Sequence, residues 1–431
     1  MKQITAIVLG AGHRGADAYA AYALNFPNEL KIVGVAEPRD DRRAAFAKLH
    51  GIPAEHCFAS WKDALAQEKF ADCVFVCTQD REHFAPVMQA LELGYDVLCE
   101  KPMSQDRAEL LAMGEKAKQT GRVLSICHVL RYSPFFGKLK ELLDSGDIGQ
   151  LVSIQHIESV GYWHAAHSYV RGNWRRSDET SPMILAKCCH DMDILTWLIG
   201  SRCRTVSSFG SQAHFNAAHK PDGAPEYCMD GCAHRDTCPY YAPRFYLEHP
   251  KATAPGGFAA VVSLDPSREA VLDALRHGPY GRCVYQCDND VVDNQVVNLL
   301  YENGVSVSMA MCAFTERCER VINVMGSRGQ IVGNMEQSTL EVREFASGNR
   351  TVLQIKTPAG GHSGSDTAMM REFLRVLRSG GESRTNVDAS VESHLMALAA
   401  EQSRLSGGAP VGLEGTGFLL PAPGFCCRIP R

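Results

Sequence analysis

The chain has 431 residues, enough to bury a sizeable core and to divide into two or three domains. It is 45% hydrophobic and 22% charged, with a formal net charge of −5, an ordinary globular composition that excludes broad nucleic-acid binding, which needs a concentrated basic face. No apolar run approaches the roughly 20 residues a membrane-spanning helix requires, so neither nucleic acid nor a membrane is an expected partner.

The opening segment MKQITAIVLGAGHRG begins apolar but runs into glycines and Arg14 rather than a small-residue cleavage site. It reads as a strand and not as an export signal. The 17 cysteines are an odd number, and Cys73, Cys77, Cys99 and Cys127 sit inside apolar runs. There a reduced thiol acts as a small buried hydrophobe, and the pattern indicates a cytoplasmic protein.

The first strand, Ile4–Leu9, is followed by Gly10, Gly12 and Gly15 and then by a helix rich in Ala and Tyr. A dinucleotide site needs this order. The first glycine makes a tight turn, the second lets backbone approach a pyrophosphate, and the third lets helix and strand pack closely. The helix N-terminus offers free N–H groups to the phosphates. His13 and Arg14 fall inside this turn and join it as candidate cofactor contacts. A second strand, 31–36, ends at Glu37, whose carboxylate suits the adenosine ribose hydroxyls and repels a 2′-phosphate, which favours NAD over NADP. Arg39 is the dissenting residue, since it suits that phosphate. Segments 71–77 and 95–100 read as further buried parallel strands, each preceded by a helical pattern. This alternation, to about residue 125, predicts a doubly wound α/β domain with ligands beyond the carboxyl ends of its strands. Thr78, Asp80, His83, Glu100 and Lys101 fall there.

The strand at 97–99 runs into 99-CEKPMS-104. With the glycine turn and the acidic end of strand 2, this Glu-Lys-Pro motif makes the chain resemble the Gfo/Idh/MocA oxidoreductases over residues 3–405. The resemblance implies an N-terminal Rossmann domain at 1–125. It implies an α+β substrate domain at 126–405 with a large, open, mostly antiparallel sheet, leaving 406–431 as a tail. It makes Glu100 and Pro102 walls of the nicotinamide pocket. It makes Lys101 the lysine that reaches the hydroxyl being oxidised. Chemically this suits Lys101: hydride leaves a carbon only as its hydroxyl loses a proton, and a nearby amine stabilises the alkoxide or takes the proton.

His128, Arg131 and Tyr132 follow an apolar strand and match a family segment lining the substrate side. After the strand 151–159 comes 161-GYWHAAHSYVRGNWRR-176, with aromatics, histidines and arginines in one stretch. Flat rings stack on sugars and Arg or His bind hydroxyls or a carboxylate, so His164, His167, Tyr169, Arg171 and Trp174 are candidate substrate residues. The alternative is a loop whose aromatics plug the core. In 187-KCCHDMDILTWLIG-200, helical spacing sends Met192, Leu195 and Leu198 to a core. The family's hydroxyl-binding histidine matches His190, and Asp191 joins the substrate set. Many members have an Asp four residues earlier; here that position is Ala186, which opens a catalytic role for Lys187. Near the end, His362 and Asp366 belong either to a loop returning to the active-site mouth or to a helix cap.

Cys228, Cys232 and Cys238, with Cys283 and Cys287 further on, are candidate ligands for a structural zinc, although their spacing is not C-x2-C. Three functions fit the motifs. The first is an enzyme that uses bound NAD transiently to oxidise a pyranose carbon, C3 in the pattern the resemblance implies, and cleave a glycoside such as a glucuronide. The second is a plain sugar or inositol dehydrogenase that releases NADH. The third is a non-enzymatic sensor, against which the Lys101 and His190 pair argues. A homodimer or homotetramer is expected from the broad sheet face.

Overall fold

The computed structural model describes residues 2–358 and 364–413. The first sheet has six parallel strands: β1 (Ile4–Leu9), β2 (Leu30–Ala36), β3 (Cys57–Phe58), β4 (Cys73–Val76), β5 (Asp96–Cys99) and β6 (Leu124–Ile126). Their spatial order is β3-β2-β1-β4-β5-β6. Helices cover both faces, which is why β4 has no exposed residue and the central strands read as unbroken apolar runs. The order reverses between β1 and β4, the point at which an open α/β sheet takes its ligand beyond the strand ends. Strand β3 was not anticipated, because two residues carry no periodic signal.

The second sheet contains β7 (Leu151–Ser159), β8 (Cys203–Ser211), β9 (Asn294–Tyr301), β10 (Ser306–Cys312), β11 (Glu319–Gly326), β12 (Gly329–Asn334), β13 (Thr339–Glu344), β14 (Arg350–Gln354) and β15 (Val411–Gly412). Its order is β14-β13-β12-β11-β7-β10-β9-β8-β15, and only the β7–β10 pair is parallel. One face is buried under the helices Met183–Ile199 and Val387–Leu405. Alternation does the sorting: Val297, Leu299 and Tyr301 on β9 point into this core, while Val296 is exposed on the other face.

Two segments cross between the layers. The helix Ser365–Ser379 packs Met369, Met370, Phe373 and Leu374 against the first sheet, with Phe373 edge-on to Phe75 at 6.2 Å. Between β8 and β9 an insertion of short helices, including Ala242–Glu248 and Arg268–His277, shares a small apolar cluster with Trp163 of the preceding segment, around Tyr246 and Leu275. Among the described residues no helix is long and apolar enough to cross a membrane.

Candidate functional site

The glycine turn behaves as its spacing demands. Gly10 has φ +91°, and a Cβ there would run into the Cys77 carbonyl; at Gly15 it would run into the Gly10 carbonyl. Gly12 differs. Its nearest obstacle is Arg42 Nη1 at 3.7 Å, so space remains beside its backbone at the head of the helix His13–Ala20. Glu37 is buried at the end of β2, where it accepts from the Ala11 amide at 2.9 Å and the Arg39 amide at 3.2 Å. An open glycine, a helix N-terminus and a buried strand-end carboxylate fit the phosphates and ribose of NAD. The Arg39 side chain is exposed and pairs with Asp41 at 3.0 Å, so its guanidinium is engaged away from the turn. Arg42, which sequence reasoning passed over, is the arginine beside Gly12 and lies 4.0 Å from Glu37. His13 is exposed at the turn.

Glu100, at the end of β5, is the hub of the next layer. Arg14 Nε donates to it at 2.7 Å and the Tyr19 hydroxyl also bonds it. Burial opposes its charge, but Arg14 and then Lys101 outweigh burial and hold the carboxyl below its ordinary range. Arg14 also pairs with Asp366 at 2.8 Å, so the returning helix closes on the cofactor turn. The cap reading of Asp366 does not hold: Gly364 is the N-cap, with no side-chain cap bond, and Asp366 stands inside the first turn with its carboxylate on Arg14. His362 lies outside the described residues. His83 braces the pocket wall, with Nδ1 2.7 Å from the Pro102 carbonyl and Nε2 3.0 Å from the Thr78 carbonyl. The Met103 amide donates to His394 Nε2 at 2.9 Å, and His394 Nδ1 donates to the Ser390 carbonyl at 2.6 Å. That pair of bonds requires the neutral ring, and burial, followed by His128, pushes His394 down to about 3. His394, unnoticed in the sequence, thus fixes the loop that presents Lys101.

Lys101 Nζ donates to the Ala186 carbonyl at 3.0 Å. Ala186 is one helical turn before His190, so the amine rests on the same stretch of the helix Met183–Ile199 that carries the imidazole. The His190 ring stands edge-on to His128 at 5.5 Å. His128 is fully buried, and burial, then Arg131 and Lys101, push it down to about 3; it is a neutral wall behind the pair. At position 186 the chain offers Lys101 a backbone carbonyl and no side-chain acceptor.

Lys187, on the next position of the helix, pairs with Glu158 of β7 at 3.3 Å. Arg320 of β11 ties Glu158 at 3.0 Å to Asp191 at 2.7 Å, and His156 bonds Asp191 at 2.7 Å. Burial raises Glu158 despite Arg320 and Lys187; it opposes Asp191 too, but there Arg320 and His156 prevail and the carboxyl sits well below its ordinary range. Asp191 is therefore a buried support and not the substrate contact expected of it. Glu158, His156 and Arg320 were missed. Their signal was present: 154, 156 and 158 share the inward face of β7, and two of those three are titratable.

The loop 161–176 divides. Tyr169 is buried against Trp174 at 6.3 Å, and Trp174 Nε1 donates to Asp80 at 3.1 Å, beside the cofactor crevice. Burial lowers His164 well below its ordinary value, with Lys187, His167 and Lys101 adding to it, and the ring lies 5.9 Å from Tyr169 with Nδ1 3.6 Å from Cys318 Sγ. His167 and Arg171 belong elsewhere. His167 bonds the Tyr246 hydroxyl at 2.8 Å and stacks on Tyr280 at 4.7 Å, inside the insertion cluster. Arg171 is buried and donates to the Arg282 and Tyr240 carbonyls, each at 2.7 Å. Both anchor the insertion, because its short helices lack a core of their own without the 162–171 segment beneath them. Arg131 forms a two-pronged pair with Asp193, both bonds at 2.7 Å, and Tyr132 bonds Ser383 and Thr385, so neither is free to hold a substrate.

The zinc reading is corrected. Among the described residues no group of three or more His, Cys, Asp or Glu side chains is placed to hold a metal. Cys228 Sγ instead meets Arg171 Nη2 at 3.7 Å, and a buried guanidinium among thiols opposes a cation there.

Burial, then Arg171, pushes His167 down to about 3, against 6.5 for an ordinary histidine. The unfolded chain takes up a proton near pH 6.5 that the folded chain refuses, so this group removes stability as pH falls from 6.5 toward 3. Chemical denaturation of wild type and His167→Asn at pH 7.5 and 5.5 should show the wild type losing about 1 kcal/mol more than the variant on acidification. Equal losses would contradict the assignment.

A doubly wound parallel sheet joined to an open, mostly antiparallel sheet is the architecture of a two-domain, dinucleotide-binding oxidoreductase. The family description "Oxidoreductase family, NAD-binding Rossmann fold" matches residues 4–128, and "Oxidoreductase family, C-terminal alpha/beta domain" matches 140–413. The chain belongs to the Gfo/Idh/MocA oxidoreductases. Its curated relatives include YteT of Bacillus subtilis, named as an oxidoreductase, at 26% identity over 378 residues, covering 81% of this chain and 83% of YteT. They also include the 2,7-anhydro-N-acetylneuraminate hydratase of Escherichia coli K12, at 28% identity over 216 residues, covering 50% of this chain and 54% of that protein. Among solved structures, levoglucosan dehydrogenase in complex with NADH and levoglucosan superposes with a TM-score of 0.71 at 16% identity, covering 96% of this chain and all of that one (100%). At that identity the likeness is one of fold.

Proposed function

We propose that this protein oxidises a ring hydroxyl of a pyranose sugar or glycoside with NAD. In the favoured form the oxidation is transient, and the glycoside is cleaved by oxidation, elimination, hydration and reduction. The observation that carries the reading is the Lys101 amine resting on the Ala186 carbonyl, one turn from His190. When bound over Gly10–Gly15 and Glu37, NAD supplies the acceptor for the hydride. The chain's own part is the proton. Lys101 hydrogen-bonds the reacting hydroxyl and stabilises its developing negative charge, and His190 orients that hydroxyl and shares its proton. Lys187 and Glu158 form a second proton-handling pair beside them, in place of the Asp that Ala186 replaces. Tyr169, Trp174 and His164 wall the sugar.

Two features support a redox-neutral outcome. A relative over half of the chain is named as a hydratase, a net addition of water and not an oxidation. The second amine, Lys187, also suits an aglycone or sugar carboxylate, as in a glucuronide. The plain dehydrogenase shares the first step and remains the alternative. The same reading places the enzyme in the cytoplasm as a homo-oligomer joined through the open sheet face, where Ile157, Phe209 and Val296 are exposed.

The deciding assay uses protein purified without added cofactor, offered p-nitrophenyl glucosides and glucuronides. Nitrophenol release without net NADH supports glycoside cleavage. Stoichiometric NADH from free glucose, glucuronate or inositol supports the dehydrogenase. Neither, with sugar-dependent thermal stabilisation, supports a sensor.

A further inference from the structure

Far from the cofactor crevice lies a cavity of about 560 Å3 that this function does not use. It opens along the C-terminal half of the helix Ser365–Ser379, whose N-terminal turn holds Arg14. Arg371, Arg375 and Arg378 recur at four- and three-residue spacing and so form one stripe on that helix. Arg384 faces them from the following segment, with its guanidinium over the Tyr132 ring at 5.8 Å. Against these four guanidinium groups the cavity sets two carboxylates, Glu29 and Glu372.

The carboxylates do not saturate the arginines. Arg375 and Arg384 reach Glu372 only at 3.9 and 3.8 Å, beyond hydrogen-bond range. Among the described residues Arg371 makes no ion pair; its guanidinium meets the Tyr22 hydroxyl, a neutral partner, and lies over the Phe26 ring at 5.6 Å. Arg378 alone is fully engaged, donating to the Lys2 and Glu29 carbonyls at 3.0 and 2.7 Å. The helix C-terminus attracts cations with only about half a charge, which does not account for four. An excess of two positive charges lining a concave space of small-molecule size is the electrostatic form of an anion site.

We propose that this cavity binds a small phosphate-bearing molecule, a diphosphate or a phosphate ester. A planar carboxylate satisfies one guanidinium fork. A tetrahedral phosphate group presents oxygens in several directions and can bridge the helix stripe to Arg384 on the opposite wall.

The test uses the full chain saturated with NAD, so that the glycine turn, itself a phosphate site, is filled. Inorganic pyrophosphate, glucose 6-phosphate and citrate are titrated in turn by isothermal calorimetry at low salt. The expected result is saturable one-to-one binding of pyrophosphate or glucose 6-phosphate with Kd of about 0.1 mM or tighter. Whichever of the two binds more tightly separates a diphosphate from a phosphate ester. Arg371→Gln/Arg375→Gln, both exposed, should weaken that binding at least tenfold while thermal stability and NAD binding stay unchanged. Arg384→Gln should weaken it severalfold on its own. No saturable binding, binding unchanged in both variants, or citrate bound as tightly as the phosphates would overturn the proposal. None of these outcomes bears on the sugar chemistry at Lys101.

Discussion

Lys101→Ala should lower kcat by about 10³-fold or more while NAD affinity changes less than about twofold. The size follows from the two tasks one amine performs. General acid–base help contributes about 10²–10⁴-fold, and stabilising a developing alkoxide in a partly buried site adds to it. NAD affinity is spared because the groups fitted to its phosphates and ribose, Gly12, the helix start at His13 and Glu37, lie at the β1 and β2 ends. Lys101→Arg should not rescue the loss, since a guanidinium cannot give up its proton in the relevant pH range. Steady-state kinetics on whichever glycoside or sugar the protein turns over, with calorimetric NAD titration, provide both numbers. Turnover within tenfold of wild type would remove Lys101 from the chemistry.

The second large effect is on stability. Asp193→Ala should cost about 3–5 kcal/mol, because it strands the Arg131 guanidinium in the core. Asp193 is fully buried, and burial raises its pKa even though Arg131 pulls the other way. The pair is therefore expensive to build and more expensive to break. A double replacement, Arg131→Met/Asp193→Leu, removes both charges and should recover most of the loss. Urea denaturation of these two variants and of Arg131→Met tests this. If Arg131→Met alone left stability intact and raised KM, Arg131 would be a substrate contact after all, as its position after β6 suggested.

The features that the sequence and the fold both show share a property: they follow from local backbone demands. Gly10 and Gly15 are legible because only a missing Cβ fits there, and Glu37 because it terminates an apolar strand at a predictable crevice. Lys101 was legible through Glu100 and Pro102 beside it. What the sequence does not show arises where partners are distant in the chain. Arg14 is held by Asp366, 352 residues away, a pairing that no periodicity encodes. Arg171 and His167 have the residue types of a sugar site, yet they serve a helical insertion that needs anchors, and composition alone does not distinguish a wet arginine from one bonded to two carbonyls. Glu158 and His156 were overlooked although an inward-facing carboxylate on a strand is costly enough to demand a partner, here Lys187 and Arg320.

The coupling of Lys101 and His190 is tested most directly by stopped-flow absorbance of the reduced nicotinamide on mixing NAD-loaded protein with a p-nitrophenyl glucuronide or glucoside. The account predicts a rapid transient in the wild type that disappears in Lys101→Met and slows at least tenfold in His190→Gln. A transient of wild-type rate and amplitude in both variants would show that these two side chains do not handle the proton.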